Sequence, residues 1–304
     1  MQTILGSNGV IGTEVARTLP QYTSQIRLVS RNPKAVNASD ELFPADLTDA
    51  RQTADAIAGS EVVYLTAGLT YKLKIWENQW PLIMKNVIEG CKKHDAKLVF
   101  FDNVYMYGKV KGWMTEETPH HPTSKKGAVR AKIADMIMEE VAKGKLTAQI
   151  ARAADFYGKS PLSVASVMVF ENYAKGKAAQ CMISDKFRHS YTYIPDAGKA
   201  TAMLGNTPDA YNQVWHLPTD KQVLTGKEFI ENVAAAFGVP PKYSVLSKFM
   251  LRLVGLFIPP VGESIEMLYQ NEDDYLFDSS KFDRKFSMKP TPYLDGIAAT
   301  AKLY

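Results

Sequence analysis

Three glycines at the spacing G-x-x-G-x-x-G, Gly6, Gly9 and Gly12 in MQTILGSNGVIG, stand directly behind a short apolar run and ahead of VIGTEVARTL, a segment of helical period. That succession dictates a strand, a tight turn and a helix. In this setting the first glycine permits the turn, the second lets backbone amides approach a pyrophosphate, and the third lets helix and strand pack closely. The helix N-terminus adds partial positive charge where phosphates would lie. Asn8 in the turn and Val10 and Ile11 at the helix start complete the expected cradle.

The rhythm that begins there continues. QTIL, QIRLVS, EVVYLTA, KLVFFD and AQIARAAD read as strands, alternating with helical periods over 10–19, 49–58, 76–94 and 124–143. Repeated βα units predict an α/β fold, a doubly wound parallel sheet with helices on both faces. VVYL and LVFF are apolar on consecutive residues, as strands covered on both faces are. After about residue 157 the rhythm loosens. The expected division is a nucleotide-binding domain over 1–156 with late strands from about 187–218, and a smaller, mostly helical substrate lobe over 157–186 and 219–304. A chain of 304 residues, 46% hydrophobic, is long enough for both.

Composition removes several classes of partner. Thirty-six basic against 32 acidic side chains leave +4 and no like-charge block, so nothing demands nucleic acid; the KK…R.K segment over 125–132 offers charge alone. Cys91 and Cys181 stand apart without metal or disulfide spacing, which with the absence of a leader-like N-terminus predicts a reduced, cytoplasmic setting. His120 and His121 have no third ligand at a useful spacing, so no metal is expected. FMLRLVGLFIPPVG (249–262) holds an arginine and two prolines and falls short of the roughly 20 apolar residues a membrane span needs. It reads as an amphipathic helix packed on the fold.

Further along, the second strand ends at VSRNPK. A ribose-binding carboxylate is absent there, and Arg31, with Lys34 behind it, suits a 2′-phosphate. This favours NADP over NAD, a solvated surface arginine being the bland alternative. Asp46 and Leu47 in PADLTD suit an adenine amino group and ring edge. Thr66, Ala67 and Gly68 in LTAGLT are small enough for backbone to approach a ribose.

Together the glycine spacing, ADLTD, VVYLTAG, VFFDNVYMYG, RAADFYG and YIPDAGKA resemble the extended short-chain dehydrogenase/reductases, the NAD(P)-dependent epimerase/dehydratase group. The resemblance implies a Rossmann domain, a C-terminal substrate lobe and a catalytic Ser/Thr with a YxxxK pair, the tyrosine moving the proton and the lysine holding the nicotinamide ribose. Counting back from Gly108, the Ser/Thr position holds Asn103. Counting forward, the lysine matches Lys132, which puts Ala128 where the tyrosine would be. An alanine exchanges no proton, so Tyr105, on the loop after the fifth strand, is the leading substitute, ahead of Tyr107, Tyr157, Lys125 and Lys126. An arginine that grips a diphosphate in nucleotide-sugar enzymes of the group aligns with His189, with Arg188 beside it.

The resulting expectation is an NADP-dependent oxidoreductase on a small carbonyl or alcohol, with Lys132, Tyr105 and Asn103 at the reaction centre. The alternative is a non-catalytic NADP-binding sensor or scaffold. The resemblance also implies a homodimer through helices 76–94 and 124–143.

Overall fold

The computed structural model describes all residues, 1–304. Seven strands, β1 (Gln2–Leu5), β2 (Ile26–Ser30), β3 (Glu41–Pro44), β4 (Val62–Leu65), β5 (Lys97–Asp102), β6 (Ala148–Arg152) and β7 (Val214–His216), form one sheet in the order 3-2-1-4-5-6-7. Every neighbouring pair is parallel. Strands β1 and β4 are buried along their whole length; β4 accordingly reads as a continuous apolar run, VVYL, while β1 buries Gln2 and Thr3 beside Ile4 and Leu5. Leu5 pairs in register with Val29 on one side and Leu65 on the other, so the loops that follow β1, β2 and β4 emerge at one end of the sheet.

The helices are α1 (Val10–Thr18), α2 (Ala50–Ile57), α3 (Leu73–His94), α4 (Lys125–Ala142) and α5 (Ile194–Gly205). Asp49 starts α2 by accepting a hydrogen bond from the Gln52 N–H at 2.8 Å. Asp95 ends α3 in the left-handed region at φ 52°. Val63, Leu65, Trp80, Met84, Phe100 and Ile133 belong to the main core between sheet and helices.

The chain divides into two compact units. The first comprises 1–106, 125–153 and 197–217 and contains the sheet. The second comprises 107–124, 154–196 and 218–304. Its strands pair in parallel twos: Asp155–Tyr157 with Tyr191–Tyr193, Ala179–Met182 with Tyr243–Leu246, and Trp113–Met114 with Leu276–Phe277. Helix α6 (Gly226–Ala236) opens with a reciprocal capping box between Thr225 and Glu228, and its buried face, Phe229, Ile230 and Val233, packs with Tyr157, Phe170 and Tyr293. The segment expected to pack as an amphipathic helix is α7 (Lys248–Gly255), and there the reading is corrected: only Leu251 is buried, while Phe249, Leu256 and Phe257 are 76%, 77% and 80% exposed. No helix is long and apolar enough to cross a membrane.

Candidate functional site

The first turn is held by its own backbone. Gly6 and Ser7 N–H groups donate to the Val29 carbonyl at 2.9 and 3.1 Å, and Gly9 N–H donates to the Gly6 carbonyl at 3.1 Å. Gly6 sits at φ +93°, and a Cβ there would lie 2.4 Å from the Ala67 Cα. A Cβ on Gly12 would meet the Gly6 oxygen at 2.8 Å and Thr66 Oγ1 at 2.9 Å. These two glycines are therefore required by packing, one against the loop after β4 and one between α1 and the turn. Gly9 differs. It occupies the N-cap of α1 with ordinary φ and ψ, and a Cβ there would meet only the Gly6 oxygen at 3.4 Å and the Thr66 oxygen at 3.8 Å. The protein's own packing does not require glycine at position 9. Val10 opens the helix and Ile11 is buried in the fold beneath it. Gly68 is exposed, with nothing near its Cα.

At the end of β2, the Asn8 amide donates to the Asn32 carbonyl at 2.7 Å and accepts from the Lys34 N–H at 3.2 Å, pinning the loop that carries Arg31 and Lys34 to the glycine turn. Asn8 thus acts on the loop through its side chain. Arg31 and Lys34 are both exposed, and Lys34 lines a concavity with Ser7, Asn8, Thr13 and Arg17. Hydrogen bonds from the Thr48 N–H (2.9 Å) and hydroxyl (2.8 Å) hold the Asp46 carboxyl below the usual carboxylate range, and the Arg31 guanidinium adds to the effect. Leu47 is core: its side chain is buried and its carbonyl accepts from the Asn86 amide at 3.0 Å. One residue escaped the sequence reading. The Ser30 hydroxyl, immediately before Arg31, is buried without a hydrogen-bond partner in the protein.

The other half of the site lies at the end of β5. Asp102 pairs in register with Arg152 of β6 and accepts from both the Arg152 Nε (3.3 Å) and the Arg130 Nε (2.8 Å). All three side chains are at least 95% buried. The Asn103 N–H donates to Asp102 Oδ1 at 2.9 Å, and the Asn103 side-chain oxygen accepts from the Tyr105 N–H at 3.1 Å, shaping the turn that presents Tyr105. The Tyr105 ring stacks on Trp76 at 6.4 Å and 15°, and Trp76 meets Tyr71 edge-on at 5.5 Å.

Helix α4 corrects the lysine assignment. Residues 128, 132, 135 and 139 form its exposed stripe, so Lys132 and Ala128 face solvent. The pair with the same spacing on the inward face is Lys126 and Arg130, 1% and 4% exposed. Lys126 Nζ lies 4.7 Å over the Tyr71 ring, and the Arg130 guanidinium lies 4.7 Å over Trp80 and 4.9 Å over Phe100. The structure therefore buries Lys126 on the inward face of α4, in the same unit as Asn103 and Tyr105, and turns Lys132 of that unit to solvent.

The second unit accounts for the remaining candidates. Tyr107 and Tyr157 are 1% exposed and packed; burial drives the Tyr157 phenol far up, and its hydroxyl has no partner. Arg188 is taken by Asp274 through its Nε (3.0 Å), Nη2 (2.6 Å) and backbone N–H (2.9 Å). His189 stacks between Tyr191 and Tyr275 and shares a hydrogen bond with Asp155 at 2.9 Å. No three His, Cys, Asp or Glu side chains converge as a metal ligand set.

No curated protein matches the chain by sequence. Among solved structures it is similar in fold to UDP-glucose 4-epimerase of Thermus thermophilus in complex with NAD (18% identity, 99% of this chain and 98% of that one, TM-score 0.79). It is similar also to dTDP-glucose 4,6-dehydratase of Streptomyces venezuelae (15%, 100% and 97%, TM-score 0.80) and to UDP-glucuronic acid 4-epimerase of Bacillus cereus (16%, 99% and 98%, TM-score 0.79). The model of the NAD dependent epimerase/dehydratase family matches residues 3–216, which carry the seven-stranded sheet, the glycine turn and the end of β5, and the chain belongs to that family.

Proposed function

We propose that the protein is an NADP-dependent oxidoreductase of the epimerase/dehydratase type, acting on a small carbonyl or alcohol. The observation that carries this reading is the room at Gly9, a glycine that the protein's own packing does not require at the start of α1. The groups around it fit a phosphorylated dinucleotide: the start of α1 at Val10 and Ile11, whose N–H groups have no partner within the helix, for the pyrophosphate, the Ser30 hydroxyl, and Arg31 and Lys34 for a 2′-phosphate. Thr66 and Ala67 border the same turn, and Asp46 and Leu47 the adenine side. When bound, the nicotinamide supplies or accepts a hydride.

Lys126 holds the place of the family tyrosine. Its ammonium donates a proton to the substrate oxygen in reduction and recovers it in oxidation. Arg130, fixed by Asp102, holds the ribose side; the Asn103 Nδ2 orients the substrate oxygen. Tyr105 is the second proton-bearing group at this end. The neighbours act on sugar nucleotides, according to their descriptions. A second reading, a dinucleotide-binding sensor without turnover, is favoured by the absence of any tyrosine on the inward face of α4.

Calorimetry with NADPH and NADH, followed by NADPH oxidation against a panel of carbonyls, tests both. Tighter binding of NADPH and turnover abolished by Lys126→Met but unchanged in Lys132→Ala are the expected results. Turnover lost in Tyr105→Phe instead transfers the proton to that residue. Binding without turnover leaves the sensor, and no heat with either nucleotide removes both readings.

A further inference from the structure

The second unit holds a cleft of its own, walled by Met168, Met182, Phe187, Tyr191, Phe229 and Ile230. Its polar lining includes Gln180, His189 and one carboxylate, Asp273; no lysine or arginine faces it. Of the cations nearby in sequence, Arg188 is held by Asp274 and His189 by Asp155, while Lys186 and Lys227 are exposed and outside the lining. The remaining way to hold an anion here is the N-terminus of α6, where Gly226 lines the cleft. That end is closed: the Gly226 N–H donates to the Phe187 carbonyl at 3.1 Å, the Lys227 N–H to the Asp185 carbonyl at 2.8 Å, and the Glu228 N–H to Thr225 Oγ1 at 3.2 Å. Glu228 adds a negative charge to the same turn. Desolvation, with Asp185 close by, pushes the Cys181 thiol of the lining up to about 11, the sign of a dry and electronegative wall.

We propose that this cleft binds an uncharged, slender ligand with an alkyl or aromatic arm, and rejects nucleoside-diphosphate sugars. A diphosphate would have to leave water for a wall that offers no cation and no open amide. The cleft measures about 50 Å³, less than the roughly 150 Å³ of an apolar cavity that holds benzene. An alkyl chain enters directly, whereas a ring enters once Met168 and Met182, both flexible, give way. At the mouth, Val164 is half exposed, and the neighbouring Leu162 and Val167 are exposed as well, extending the apolar track outward.

Nile red, neutral and planar, is the probe, titrated into the full chain with and without NADPH and read by fluorescence, with UDP-glucose as competitor. The expected result is saturable binding that UDP-glucose does not displace at millimolar concentration. Val164→Glu, at an exposed position the fold tolerates, weakens it about tenfold or more. Phe257→Asp, on the bare apolar helix, leaves it unchanged. Absence of dye binding, displacement by UDP-glucose, or sensitivity to Phe257→Asp with indifference to Val164→Glu overturns the proposal. NADPH calorimetry on the same variants separates the two ideas, since failure of the cofactor reading leaves the dye titration standing and the reverse also holds.

Discussion

Two of the three glycines in the first turn are required by the protein's own packing, the third is the one the cofactor proposal rests on, and single methyl groups separate these roles. In Gly12→Ala the added carbon lies 2.8 Å from the Gly6 oxygen, 2.9 Å from the Ser7 Cα and 2.9 Å from Thr66 Oγ1. Two of those atoms are backbone, so relief requires α1 to move away from the sheet. Overpacking of this kind costs about 1–3 kcal/mol, against roughly 0.5–1 kcal/mol gained by replacing glycine within a helix. The net loss is therefore about 1–2 kcal/mol, or several degrees at most in Tm for a chain of this size. Gly9→Ala brings only ordinary contacts and keeps an allowed backbone. Its gain from a stiffer unfolded chain, about 0.4–1 kcal/mol, offsets the roughly 0.5–1 kcal/mol by which alanine is the poorer N-cap. Stability should hardly move. Binding should, because the methyl stands where a pyrophosphate must come closest; displacing it by 1.4 kcal/mol or more means about a tenfold rise in Kd. Thermal melts and NADPH calorimetry on both variants read the two effects apart. If Gly9→Ala binds NADPH as tightly as the parent chain, the cradle has been put in the wrong place and the cofactor argument fails with it.

Arg31→Ala should weaken NADPH by roughly tenfold and leave NADH almost untouched, as expected for one charge-assisted contact to a 2′-phosphate; equal losses for both nucleotides would dismiss the phosphate contact. Asp102→Asn leaves Arg130 and Arg152 buried without their shared carboxylate and should cost about 3–5 kcal/mol in urea unfolding. A loss under about 1 kcal/mol would mean that the guanidiniums are matched by other groups. Hydrogen bonding to Arg188 lowers the Asp274 pKa, and Lys109 and Lys248 do the same for Glu272. A lowered folded-state pKa stabilises above the unfolded value, about 4, and is lost as pH falls through the folded one. Denaturation between pH 6 and about 3 should show this decline; in Arg188→Gln it should be shallower, and an identical slope would refute the assignment.

The sheet and the glycine turn were legible because they rest on local pattern: β-branched runs for strands covered on both faces, and glycine where backbone must come close. Helix α4 was misread for an equally physical reason. The spacing of four occurs twice, at 126/130 and 128/132, and a motif count from the only lysine that fits cannot say which pair faces inward. The apolar period of Val129, Ile133, Ala134 and Ile137 marks the buried side, but a buried cation interrupts that period and disguises itself as surface. Ser30 was invisible because the loss of a hydrogen-bond partner belongs to the folded surroundings and leaves no mark on spacing. For α7 the apolar content suggested burial, yet hydrophobicity says what a face would prefer and not whether anything covers it. What makes the inward pair of α4 tenable is a residue outside the helix. Asp102, at the end of β5, neutralises one guanidinium from α4 and faces a second from β6, while the aromatic faces of Tyr71 and Trp80 lie under Lys126 and Arg130. A cation can therefore lie on the inward face of α4 because the end of β5 supplies a buried carboxylate to Arg130 and aromatic faces lie under both side chains.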